Sequence, residues 1–142
     1  MSEQLRAIID ANRYMTLATA GEDGRPWATP VWFATEDYRQ FYWVSRPGTR
    51  HSRNLAARPE LGIVIHDSSV PVGGAQAVYM AAVAEEVGDA GIEVFARRSV
   101  AQGLEPWTSE NVLPPAKHRL YRATAGEHFV LTEADERLPV RP

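Results

Sequence analysis

Hydrophobic positions along this chain change period from segment to segment, and each change marks an element. Leu5, Ile8 and Ile9 recur at helical spacing and predict a short amphipathic helix over residues 3–12. From Tyr14 to Ala20 the residues are strand formers, and the run stops at Gly21-Glu22-Asp23-Gly24, a hairpin-type turn. Trp27–Thr35 predicts a second strand, which Glu36-Asp37-Tyr38-Arg39 turns into a third, Gln40–Ser45. Three strands joined by tight turns predict an antiparallel meander. Thr49 to Ala57 can run as a helix that stops before Pro59, because the residue ahead of a proline is pushed out of helical geometry. Leu61–His66 is a nearly continuous apolar run, which predicts a fourth strand buried on both faces. A loop over Asp67–Ala75 leads to a long strand, Gln76–Val87, with small side chains (Ala77, Ala81, Ala82, Ala84) on both sides. Ile92, Val94, Phe95 and Val100 predict a helix over 90–102, and the proline-rich segment 103–116 reads as irregular. Leu120–Thr124 and His128–Leu131 predict a closing hairpin around Gly126. The whole predicts one mainly β domain, an antiparallel barrel of six to seven strands, closed or nearly so, with short flanking helices.

Composition narrows the function classes. With 142 residues the chain has the length of one domain and can bury its own core. A formal charge of −3 disfavours nucleic-acid binding by bulk electrostatics, which needs a basic face. The absence of cysteine excludes disulfides, thiolate nucleophiles and zinc–sulfur sites, and fits a cytoplasmic protein. No apolar run reaches signal-peptide or membrane-span length, so no membrane partner is expected. His51, His66, His118 and His128 show no metal-ligand spacing, and no metal site is expected. Motifs for a general acid, a general base or a nucleophile, such as GxSxG, HExxH or a paired carboxylate, are missing, so no catalytic side chain is assigned.

The densest chemistry lies in Ser45-Arg46-Pro47-Gly48-Thr49-Arg50-His51-Ser52-Arg53-Asn54-Leu55, directly after the strand formers Phe41-Tyr42-Trp43-Val44. A strand, a tight turn and a helix start rich in hydroxyls and guanidiniums make a good anion pocket. Free N–H groups and the positive end of the helix dipole favour a phosphate, and arginine adds bidentate hydrogen bonds. From spacing alone, an ordinary solvated basic helix cap explains the same residues equally well.

The order of segments resembles the flavin-binding split barrel of the pyridoxamine 5′-phosphate oxidase-like proteins. The matching pieces are Thr16-Leu17-Ala18-Thr19, Asp23-Gly24-Arg25-Pro26, Thr29-Pro30-Val31-Trp32-Phe33, Phe41-Tyr42-Trp43-Val44-Ser45, Arg50-His51-Ser52-Arg53-Asn54-Leu55, Arg58-Pro59 and Arg119-Leu120-Tyr121-Arg122. The resemblance implies a homodimer that holds flavin mononucleotide (FMN) in a cleft between subunits and acts on a small-molecule substrate. It implies that Ser45, Thr49, Arg50 and His51 hold the 5′-phosphate, and that Thr29, Pro30, Val31, Trp32 and Phe33 lie along the ring and ribityl chain. Gln76 stands where the family often places a glutamine at the ring edge. Trp107 either covers the partner's cleft or plugs its own barrel. The structural alternatives are core positions for Trp32 and Phe33, an acidic partner for Arg53 and a cap or turn role for Asn54. Where the family has arginine then lysine, this chain has Arg50 then His51, and a neutral imidazole holds a dianion less firmly than a protonated one. Residues 136–142 do not reproduce the arginine- and tryptophan-rich segment of the oxidase proper. The resemblance therefore implies an FMN-dependent oxidoreductase other than that enzyme. The alternatives are a relative that uses the deazaflavin F420, with Arg46, Arg50 and Arg53 toward its acidic tail, or a non-catalytic flavin or haem binder with His66 or His118 toward iron.

Overall fold

A computed structural model describes residues 2–142. In chain order its elements are α1 (Glu3–Ala11), β1 (Tyr14–Ala20), β2 (Pro26–Trp32), β3 (Gln40–Ser45), α2 (Arg50–Ala57), β4 (Glu60–His66), β5 (Ala77–Glu86), α3 (Ile92–Ala101), α4 (Ser109–Val112), β6 (Arg119–Leu131) and β7 (Arg137–Val140). The strands form one antiparallel seven-stranded sheet in the order β2-β1-β4-β5-β6-β3, with β7 also on β6. Just past the end of β2, Ala34 forms an isolated bridge with Tyr42 of β3, their backbone groups exchanging hydrogen bonds of 3.0 and 2.9 Å. The sheet is thus a curled barrel left open along the seam between β2 and β3.

The expected meander is corrected here. β3 pairs with β6 along its whole length, Gln40 opposite Thr124 through Ser45 opposite Arg119, and not with β2. Pro26 and Pro30 share one alternation of β2 and have no N–H to offer a neighbour, which suits that strand to an edge.

Strand alternation decides the core. Met15 and Leu17, Val31 and Phe33, Phe41 and Trp43, Leu61, Ile63 and Ile65, and Val78 and Met80 all point inward. Leu5, Ile8 and Ile9 of α1 and Leu55 of α2 pack into the same cluster. Burying each large side chain stabilises the fold by roughly 1.5–3 kcal/mol. β4 is not buried on both faces as its composition suggested. Leu61, Ile63 and Ile65 face the core while Glu60, Gly62 and His66 are exposed, because its outer face has no layer above it.

A second, smaller cluster sits outside the barrel, where Phe95 of α3 meets Tyr42, Ala34, Val112 and Leu120, flanked by Trp32 and Trp107. Gly126 is not a hairpin turn. β6 runs straight through it, and the register with β5 slips so that Ala81 faces Glu127 and Ala82 faces Ala125, leaving Gly126 as the extra residue of a bulge. The true closing hairpin is β6–β7, with Asp135 at φ 61° in its turn.

Candidate functional site

β3 ends at Ser45, and three residues later the chain enters α2 at an N-cap threonine. Thr49 is extended (φ −66°, ψ 155°), and its hydroxyl accepts the N–H of Ser52 at 3.2 Å, as a good N-cap does. The capping hydroxyl also donates, having Ser52 Oγ at 2.7 Å and the Arg46 carbonyl at 3.1 Å as acceptors in reach. His51 folds back from the first turn of α2 so that its Nε2 lies 2.8 Å from Ser45 Oγ and 3.4 Å from Thr49 Oγ1. Ser45, His51 and Ser52 are all buried. Burial holds the His51 imidazole below its ordinary pKa of 6.5, so without an anion beside it the ring favours the neutral form. The first N–H groups of α2 have no intrahelical acceptors, as at any helix start, and lie beside this hydroxyl–imidazole cluster.

Arg50 takes a different direction from its neighbour. Its guanidinium carbon sits 4.4 Å from the centre of the Trp27 ring, at the start of β2. It borders a cleft of about 490 Å³ with Gly21, Glu22, Asp23, Arg25 and Arg53. In that cleft Arg25 pairs with Asp23 at 3.4 Å and Arg53 donates to the Gly48 carbonyl. Among the described residues Arg50 makes no ion pair. A stacked guanidinium uses its face and keeps its N–H edge available. These residues fit a phosphate: hydroxyls, a helix start, an imidazole that can protonate and an arginine edge not engaged by a carboxylate.

The helix is locked to the β1–β2 hairpin nearby. Asn54 Nδ2 donates to Thr19 Oγ1 at 3.1 Å in a buried contact, and Arg58 donates to the Glu22 carbonyl at 3.0 Å. A side chain at Gly21 would press on Asn54 Oδ1 at 3.1 Å. Asn54 is thus a structural clamp, and Arg53 bonds to a backbone carbonyl instead of an acidic neighbour.

The other sequence-derived positions separate. Val31 and Phe33 point into the barrel core. Trp32 is half-buried on the outside, edge-on to Phe95 with centroids 4.8 Å apart. Thr29 is half-buried and Pro30 exposed, so β2 offers an open stretch of backbone next to the phosphate-like turn. Trp107 is engaged by its own chain outside the barrel, edge-on to Phe95 and to His118 at 5.8 Å each. Gln76 precedes β5 and is exposed. It lies at the opposite end of the sheet from the turn, because Glu86 at the far end of β5 faces Tyr121, two residues from the Arg119 that pairs with Ser45. A strand of that length spans roughly 30 Å. His66 is exposed on the outer face of β4 and His118 packs beside Trp107, so neither meets the other. Among the described residues no group of three or more His, Cys, Asp or Glu could hold a metal ion, and no helix is long and apolar enough to cross a membrane.

Trp27 was missed from the sequence, although an aromatic residue five positions before Trp32 on the same predicted strand was the available signal. Nothing local said that Arg50 would lie across it.

The family model described as pyridoxamine 5′-phosphate oxidase matches residues 1–125. A pyridoxine/pyridoxamine 5′-phosphate oxidase of Rubrobacter xylanophilus is 33% identical over 116 residues, 79% of this chain and 50% of that protein. The chain spans about half the length of that relative. Among solved structures, a haem-binding protein from Mycobacterium smegmatis superposes with a TM-score of 0.76 at 21% identity, over 97% of this chain and 56% of that one. A protein described as an F420 reductase superposes at 0.66 and 19% identity, over 90% of this chain and 98% of that one. At such identities these likenesses show the fold alone.

Proposed function

We propose that this chain, which belongs to the pyridoxamine 5′-phosphate oxidase family, is an FMN-dependent oxidoreductase acting on a small molecule. The observation that carries this reading is the turn after β3, where Ser45, Thr49 and His51 converge and Arg50 keeps its N–H edge free of any carboxylate. Ser45, Thr49, Arg50 and His51 would hold the phosphate, and the open backbone of Thr29 and Pro30 would flank the ribityl chain and ring. The bound flavin supplies hydride and electron transfer; the chain's own residues bind it, orient it and exclude water. That division of labour suits a sequence without an acid–base motif.

The working unit in this reading is a homodimer with the cofactor between subunits. One chain places Gln76 and the phosphate turn at opposite ends of its sheet, so a second copy is what would bring a residue such as Gln76 to the ring edge. A second reading, F420 in place of FMN, is favoured by the arginines of the same cleft, Arg25, Arg50 and Arg53, which suit a longer acidic tail.

Titrating the purified protein with FMN, riboflavin, F420 and haem, followed by absorbance and fluorescence, decides among these. FMN bound at least about tenfold tighter than riboflavin is the expected outcome, since only FMN carries the phosphate. A preference for F420 replaces FMN in the reading. A Soret band with no flavin binding overturns it.

A further inference from the structure

We propose that Trp27 is a positioning residue for the anion site, holding the Arg50 guanidinium by its face so that the N–H edge is presented to a phosphate. The inference rests on the phosphate-binding reading above and adds a residue that neither the turn nor the helix contains. Its basis is geometric. Trp27 lies at the start of β2, opposite Thr19 of β1, and the residue is 42% exposed. The Arg50 guanidinium sits 4.4 Å above that ring.

The helix that carries Arg50 is fixed to the same hairpin by the Asn54–Thr19 and Arg58–Glu22 contacts, so the stack forms between two rigid partners. The carboxylates bordering the cleft do not claim the guanidinium: Asp23 pairs with Arg25, and no ion pair joins Arg50 to Glu22.

The electronic consequence follows from the shape of the group. An arginine held by a carboxylate uses the same N–H edge that a phosphate needs, and the two compete. An arginine held by a ring is attracted through the quadrupole on its face, leaving the donors in the guanidinium plane. Trp27 therefore restrains a flexible side chain without consuming its hydrogen bonds, which lowers the ordering cost of anion binding.

The test compares Trp27→Leu and Trp27→Phe with wild type, measuring FMN and riboflavin affinities by flavin fluorescence. Trp27→Leu should weaken FMN binding about threefold to tenfold and leave riboflavin within about twofold, while Trp27→Phe, which keeps a ring, stays near wild type. In an Arg50→Ala background, Trp27→Leu should have no further effect on FMN, because the ring then has nothing to position. Equal losses for the two ligands, or an undiminished effect without Arg50, would make Trp27 a packing residue and overturn the proposal. Trp27→Gln replaces the leucine variant if the latter does not fold, and failure of both to fold also overturns it. If wild type does not prefer FMN to riboflavin, the phosphate reading itself fails and this inference with it. If wild type and Arg50→Ala behave as expected and only Trp27→Leu is silent, the phosphate reading stands and the positioning role falls.

Discussion

Arg50 and His51 are adjacent in the chain and opposite in circumstance. Arg50 is exposed and stacked on a ring, whereas His51 is buried among hydroxyls. Removing Arg50 as alanine should cost FMN about 1.5–3 kcal/mol of binding, tenfold to a hundredfold in affinity, with riboflavin little affected. Parallel titrations of both ligands check this, and equal losses would place Arg50 in folding or ring contact.

For His51 the sign follows from burial. The free ring titrates below its ordinary value because the charged form is desolvated. A bound dianion stabilises the protonated form and raises that pKa, so binding takes up a proton between the free and bound values. No acidic side chain is among the causes of the shift in the free protein, and Arg50 and Arg53 on the same helix and Arg119 opposite Ser45 add only positive charge. FMN affinity should therefore be greatest at the acidic end and fade as pH rises through the bound-state pKa. Below about pH 6 the phosphate loses charge itself and opposes the trend. His51→Gln keeps a donor near the Nε2 position without titrating, and its affinity should stay flat from about pH 6.5 to 8.5 while wild type declines. Superimposable curves would mean that His51 does not meet the phosphate.

At the scale of elements, α2 and α3 hold the barrel differently. α2 is fastened by hydrogen bonds to the β1–β2 hairpin, while α3 is held over the outside of β3 by aromatic packing: Trp32, Trp107 and Tyr42 around Phe95. The approach of α3 depends on Gly91 just before it. Gly91 has φ 86°, and a Cβ there would lie 2.3 Å from the Tyr42 ring. Gly91→Ala should therefore cost about 2–4 kcal/mol through left-handed strain and overpacking together. A lowered denaturation midpoint with a red-shifted tryptophan emission is the expected readout. An unchanged midpoint would show that Tyr42 yields freely. Two elements needed the structure to be recognised. β7 contains Pro139, which reads against a strand, yet it is an edge strand, where the missing N–H costs nothing. β6 hides its bulge because a glycine between two apolar runs looks the same whether the chain turns or continues.

For the whole molecule, the outer face of β1, β4, β5 and β6 carries a shallow groove of about 710 Å³ bordered by Ala18, Gly62, Ala81, Val83, Thr124 and Gly126. If the proposed dimer uses this face of β5, light scattering at micromolar concentration should return twice the 15.8 kDa chain mass. Ala81→Arg, at an exposed position, should return the monomer and weaken FMN binding with it. A wild-type monomer that still binds FMN tightly would remove the shared cleft from the reading. Sequence alone determined what depends on neighbours along the chain: the places of α1, α2, α3 and the strands from β1 to β5, the helix stop before Pro59, and the contiguous set Ser45, Thr49, Arg50 and His51. It also carried the family, because ordered local motifs survive without knowledge of contacts. The tertiary structure alone decided which strand lies beside which, since a period of two marks a strand without naming its partner. That is why β3 left β2 for β6, why the barrel is split along that seam, and why Trp107 faces its own α3. It alone brought Arg50 across Trp27, a contact between a helix and a strand edge, set by how α2 docks on the hairpin and therefore invisible to any pattern of spacing.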